Sequence, residues 1–278
     1  MKIFVCADME GIAAVSTSQQ VSSGSPQFEW ARRQFTAEVA SAVKGLTEAG
    51  SQEIWVADSH GDCYGNLILE ELPPEVKLVT GQHCLRPLGQ MEGMDSSFDA
   101  AILIGFHAQA GTRDAVQDHT FHLLSLKVNG RGMGELGLCA ALAGAFEVPV
   151  IFVSGDEAAV REAKTMIPGV QTVAVKKGIG NAVALSLHPQ AACSRIYEKV
   201  KKAVEGGKGK KRVRPVRFPG KVEMEIQFYS TTDGDLAELV PGTRRLDART
   251  VSYRAKDIRE AYRAFRAATL LAAYSHYR

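Results

Sequence analysis

Apolar runs of about four to seven residues recur along this chain, separated by stretches in which apolar residues return every three or four positions. Runs that short do not make buried helices, and the stretches between them are too long for hairpin turns. The pattern therefore predicts an α/β fold, a mostly parallel central sheet flanked by helices. Residues 3–7, 54–57, 76–79, 100–106 and 149–153 read as its strands. Phe28, Ala31, Phe35, Val39, Ala42, Val43 and Leu46 share one helical face within 28–49, and Gly50 follows as a natural C-cap. Glu135 to Phe146 is apolar on most faces and predicts a buried helix, whereas 156–166 and 189–205 predict surface helices.

Residues 119–128 alternate in character and run into Asn129-Gly130, which predicts a hairpin or strand end. Between 199 and 217, nine Lys or Arg residues stand against Glu205, broken by Gly206-Gly207 and Pro215. Without interleaved aromatic residues this stretch reads as a solvated helix end and linker. Beyond it, 221–229 and 249–255 predict strands and 256–276 a terminal helix. The expected division is an α/β metal-binding catalytic domain over 1–186 and a smaller C-terminal α+β unit over 187–278.

A chain of 278 residues with 45% hydrophobic residues buries enough surface to fold without disulfides or a structural metal. Its net charge of +2 predicts neither a nucleic-acid nor a membrane partner. No run of 18 apolar residues occurs, and Asp8 comes too early for a secretory leader, so a cytoplasmic location is expected. Cys6, Cys63, Cys84, Cys139 and Cys193 are odd in number, widely spaced and without a CxxC pair, which predicts small buried fillers and argues against a thiolate metal cage.

The chemistry lies where the predicted strands end. The first runs into Asp8-Met9-Glu10-Gly11, the second into Asp58-Ser59-His60, and a third into Gly105-Phe106-His107-Ala108. Acids at i and i+2 on an extended segment point the same way, and carboxyl ends of parallel strands are where α/β proteins build sites. Mixed carboxylate and imidazole donors suit zinc, manganese or iron. Glu135, in Gly132-Met133-Gly134-Glu135-Leu136-Gly137, offers a fifth donor, and Asp58 is either a ligand or the carboxylate that orients a metal-bound imidazole.

Other readings compete. Gly132 to Gly137 matches GxGxxG, with Asp156 lying 24 residues beyond Gly132, so a Rossmann-type nucleotide-binding protein is the alternative; Glu135 would then repel the pyrophosphate. A two-metal phosphoesterase needs basic residues beside the cluster, for which Arg113 and Arg131 are nearest in sequence. A metal held only to stabilise a scaffold needs a closed site. Ser59 and Ser154 lack the GxSxG elbow of serine hydrolases. His119 and His122, three apart on an expected strand, should face opposite sides, and His83, His188 and His276 read as surface residues.

These segments, with the His119 stretch and Pro241-Gly242-Thr243, resemble the zinc-dependent bacterial D-aminopeptidases associated with dipeptide transport. The motifs run from the first strand to the C-terminal unit, in order. The resemblance implies a binuclear zinc aminopeptidase that removes the N-terminal residue of short peptides, D-amino-acid-containing ones such as D-Ala-D-Ala among them. It implies two zinc ions per subunit, with Asp8 bridging, Glu10 and His60 on the first, His107 and Glu135 on the second, and His119 catalytic. It also implies a homo-oligomer, a decamer of two stacked pentameric rings.

Overall fold

The computed structural model describes residues 1–61, 63–206 and 213–274. Five strands follow the parallel pattern anticipated: β1 (Lys2–Ala7), β2 (Glu53–Asp58), β3 (Lys77–Val79), β4 (Ala100–Phe106) and, after the smaller sheet's β5 (Ser125–Val128) and β6 (Arg131–Gly132), β7 (Val150–Asp156). They are joined by β8 (Gln171–Gly180) and the antiparallel edge strand β9 (Val183–Ser186), which give a seven-stranded sheet in the order β3-β2-β1-β4-β7-β8-β9. Strands β4 and β7 are buried throughout, as a parallel sheet covered on both faces requires.

The helices α1 (Ser18–Val21), α2 (Pro26–Glu48), α3 (Glu135–Ala145), α4 (Glu157–Met166) and α5 (Pro189–Gly206) surround that sheet. Ser25 caps α2 by accepting from the Phe28 amide at 3.0 Å, and Pro26 supplies a preset first turn. The apolar face read from the sequence is the buried one; it packs with α5 over Ile3, Val5 and Ala7. The opposite face, with Phe4 and Cys6, meets α3 and α4.

A second, antiparallel sheet covers α3. Its order is β11-β12-β10-β5-β6, where β10 is Val222–Gln227, β11 Thr243–Arg245 and β12 Thr250–Ala255; the helices α6 (Thr231–Glu238) and α7 (Ile258–Ala273) complete it. The expected break between residues 186 and 187 is crossed in both directions. Helix α5 follows that point yet packs on α2, while β5 and β6 precede it yet pair within the smaller sheet. The reason is that the outer face of α3 is apolar and takes its cover from whichever strands lie beside it.

Three other readings change. Residues 119–124 are irregular, with a turn at 121–122, and only 125–128 is strand, because Gln117 and Phe121 adopt left-handed backbone conformations (φ 49° and 50°) that break an extended run. His83 is buried and not at the surface. Cys63 and Cys84, far apart in sequence, are disulfide-bonded, while Cys6 and Cys139 are the buried fillers anticipated and Cys193 is half-buried. Of the basic stretch, Lys201 pairs with Glu48 at 3.2 Å and Arg217 with Glu147, as in a solvated surface, and residues 207–212 lie outside the described residues. His188 is exposed; His276 and the end of the anticipated last helix lie outside the described residues. No helix among the described residues is long and apolar enough to cross a membrane.

Candidate active site

The chain leaves β1 for α2 on one face of the sheet and returns to β4 past β1, so the carboxyl ends of β1 and β4 form a switch point where an open α/β sheet leaves a crevice. Asp8 and Glu10 follow β1, His60 follows β2 and His107 follows β4. Glu135 reaches the same place from the first turn of α3. These five side chains are buried together, and all but His107 line a cavity of about 440 Å³ that Ser59, Gln90, His119, His122 and Arg266 also line.

Two glycines make this convergence possible. The Asp8 amide donates to the Ile104 carbonyl at 2.8 Å and the Gly11 amide to that of Gly105 at 2.7 Å, bringing the two strand ends into backbone contact. A Cβ on Gly105 would meet the Asp8 carbonyl oxygen at 2.1 Å, and its φ of +71° is strained for any other residue. Gly105→Ala should therefore lower stability by at least about 2 kcal/mol, readable as a shift in the denaturant midpoint.

The two oxygens of Asp8 face different histidines. Oδ1 lies 3.5 Å from His60 Nδ1, and Oδ2 lies 3.4 Å from His107 Nε2. Glu10 Oε2 is 2.9 Å from His60 Nδ1; Glu135 Oε1 is 3.8 Å from His107 Nε2 and 3.6 Å from His119 Nε2. Donor atoms of Asp8, Glu10 and His107 lie within 4.8 Å of one another, and so do those of His107, His119 and Glu135.

Each imidazole is tethered by its other nitrogen. His60 Nε2 donates to the Val21 carbonyl at 2.8 Å, His107 Nδ1 to that of Ala108 at 3.0 Å, and His119 Nδ1 to that of Gln117 at 2.8 Å. A carbonyl only accepts, so the nitrogen facing the carboxylates is the one left free to bind a cation. Asp8 Oδ2 and His107 Nε2 are buried without a hydrogen-bond partner, a costly arrangement that a cation between them relieves.

The electrostatics point the same way. Burial pushes the Asp8 carboxyl up, and Glu10 beside it adds to the shift. Burial also opposes the charge on Glu10, yet His60 and His107 outweigh it and hold Glu10 well below the usual range. Against burial, Glu10 and Asp8 lift His60 well above its ordinary value, and Asp8 and Glu135 push His107 up to about 10. The carboxylates thus demand positive charge. Divalent cations supply it while leaving the imidazoles neutral.

His119 stands apart from the four strand-end groups. Its side chain is 36% exposed, and its ring stacks on His107 with centroids 4.0 Å apart. Its loop is anchored by Asp118, which accepts from the Gly111 amide at 2.7 Å and from Asn181 Nδ2 at 2.8 Å. Because residues 119–124 are irregular and not extended, His122 reaches the same cavity, contrary to the expected alternation.

Asp58 is neither a ligand nor an imidazole partner. It accepts from the amides of Asn66 and Leu67 and from Asn66 Nδ2, so it shapes the loop carrying His60. Three further contributors escaped sequence reading. Gln90 Nε2 donates to Glu135 Oε2 at 2.6 Å and to the Ser59 carbonyl. Lys176 Nζ, fully buried, donates to the carbonyls of Glu10, Ile12 and Val15 and fixes the loop after β1; burial pushes it down to about 8. Glu38, pushed up to about 7 by burial, accepts from the Ala13 amide of that loop. Lys176 sits on a strand whose apolar alternation shifts at a bulge, so local pattern alone gives it no distinction.

The competing readings fail on geometry. Gly132 ends a two-residue antiparallel strand, so no parallel strand feeds the glycine turn, and Glu135 faces histidines at the head of α3. Arg113 is exposed beside Asp114, and Arg131 lines a different cavity. Arg266, which does line the site, already donates to the Cys84 carbonyl and lies over the Phe121 ring. No ready phosphate clamp results. A closed scaffold site is at odds with the open cavity above the cluster.

A sequence profile of the D-aminopeptidase family matches residues 1–267. The chain is 36% identical over 275 residues to a D-aminopeptidase of Bacillus subtilis, covering 98% of each chain. It superposes with a TM-score of 0.92, at 35% identity and 98% coverage of each chain, on a structure described as the zinc-dependent D-aminopeptidase DppA from Bacillus subtilis, a self-compartmentalizing protease.

Proposed function

The chain belongs to the D-aminopeptidase family and is a peptide hydrolase of the aminopeptidase kind, and from that premise we propose that it is a binuclear zinc enzyme acting on short D-amino-acid-containing peptides such as D-Ala-D-Ala. The observation that carries the binuclear reading is Asp8, whose two oxygens face separate imidazoles in a buried cluster with too much negative charge for itself. In this reading Asp8 would be shared by the two ions, Glu10 and His60 would hold one, and His107 and Glu135 would hold the other. Two bound zinc ions would polarise the scissile carbonyl and acidify a water toward neutrality.

The chain's own groups do the rest. His119 Nε2, bare at the cavity side of the cluster while Nδ1 donates to Gln117, takes a proton from the attacking water and, once protonated, stabilises the developing oxyanion. Its tether to Gln117 and its stack on His107 hold it in position. Gln90 orients Glu135, and Asp58 with Asn66 sets the height of His60.

The testing experiment pairs elemental analysis with D-alanine release from D-Ala-D-Ala. About two zinc ions per chain are expected, with release abolished by chelation and restored by zinc. Chelation should also lower the melting temperature, since a ligand at about a hundred times its Kd stabilises the native state by about 2.7 kcal/mol. Metal-free protein with undiminished peptide turnover would falsify the reading. The relative's self-compartmentalizing description supports a homo-oligomer; a decamer of two pentameric rings, in the cytoplasm, is the assembly the family resemblance implies. Light scattering of the native protein tests its mass.

A further inference from the structure

Beside the carboxylate and imidazole cluster lies a second group of cation-binding side chains. Cys63, on the loop after His60, meets His83 and Cys84 on the turn His83–Leu85, with one donor atom from each within 4.8 Å of the others. The three residues are only 1%, 5% and 8% exposed. The cysteines are disulfide-bonded to each other. His83 Nδ1 donates to the Gly89 carbonyl at 3.2 Å, which leaves Nε2 with its lone pair; that atom is buried and has no hydrogen-bond partner. A neutral histidine tethered to a carbonyl by one nitrogen and open at the other is the arrangement typical of a metal ligand. Arg266 Nη2 donates to the Cys84 carbonyl at 2.6 Å and holds the backbone of that turn in place.

We propose that Cys63, His83 and Cys84, in the dithiol state, bind one thiophilic divalent cation of the zinc class, separately from the active-site cluster. A small dithiol reduces the disulfide, giving up two electrons and two protons and leaving as its own cyclic disulfide. The incoming cation then displaces the two thiol protons to solvent and takes two thiolates and the His83 imidazole, with a fourth position open. Oxidation of the pair removes both sulfur ligands and releases the cation. The site ties together the two loops that flank the cavity, since Cys63 follows His60 by three residues and Cys84 precedes Gln90 by six.

The test uses the full chain, reduced with a small dithiol, freed of reagent without air and titrated with Co²⁺. A sulfur-to-cobalt charge-transfer absorption is expected, absent without reduction, lost in Cys63→Ser and bleached by added Zn²⁺. The active-site cluster offers carboxylates and imidazoles, so Asp8→Asn should keep this band even where it removes peptide turnover; failure of the two readings is thereby distinguishable. No band in reduced wild-type protein, or a band that persists in Cys63→Ser, overturns the proposal. Should that variant not fold, alkylation of reduced wild-type protein decides: Zn²⁺ should slow labelling of Cys63 and Cys84 by at least about tenfold, and equal labelling with and without Zn²⁺ overturns the proposal.

Discussion

Asp8→Asn is expected to leave the folded protein unable to hold its metal pair and to lower kcat/KM on D-Ala-D-Ala by about 10³-fold or more. The carboxamide keeps the shape of the side chain and an oxygen that can accept from the Met9 amide, a 2.9 Å bond in the native protein. What it removes is the charge shared between His60 and His107. Lewis-acid assistance is worth several kcal/mol, and at roughly 1.4 kcal/mol per factor of ten its loss accounts for a fall of that size. The metal-free fold should not suffer, because burial and Glu10 already oppose ionisation of Asp8. The decisive readout is elemental analysis beside turnover: a variant that retains both zinc ions sinks the bridging assignment, whatever its rate.

The second large effect separates catalysis from metal binding. His119→Ala should lose about 10²–10⁴-fold in kcat, the range of a positioned proton-transfer group, with zinc content near that of the wild type. Its side chain is partly exposed and its backbone is held through Asp118, so the change in folding stability should stay within about 0.5 kcal/mol. A turnover close to the wild-type value removes the catalytic role. Loss of zinc in parallel with turnover would instead make His119 a ligand, a role its 3.6 Å approach to Glu135 makes worth excluding by the same elemental analysis.

The arrangement of the cluster explains why so much of it could be read from the chain. Asp8, Glu10, His60 and His107 each sit within a few residues of the end of a buried apolar run, and in a parallel sheet such ends converge on one edge. Three runs ending in acids or histidines therefore imply one site. Glu135 was readable as an acid opening an otherwise apolar helix. Local pattern failed where the backbone departs from regular periodicity. The left-handed residues Gln117 and Phe121 turn the His119 segment back on itself, so alternation misplaced His122.

Burial on both faces of a strand and on one face of a helix imposes periodicities that survive in one dimension, so the parallel core, the helix over residues 28–49 and the strand-end chemistry are legible in the chain. Packing settled which residues support that chemistry from a distance: Gln90 on Glu135, Lys176 on the loop after β1, Arg266 over Phe121 and the meeting of Cys63 with His83 and Cys84. It also decided that strands from both sides of residue 187 share the smaller sheet. These are contacts between single side chains or edge strands separated by tens of residues. Such contacts leave no period in the chain, and they exist only once the apolar faces have packed and brought their neighbours together.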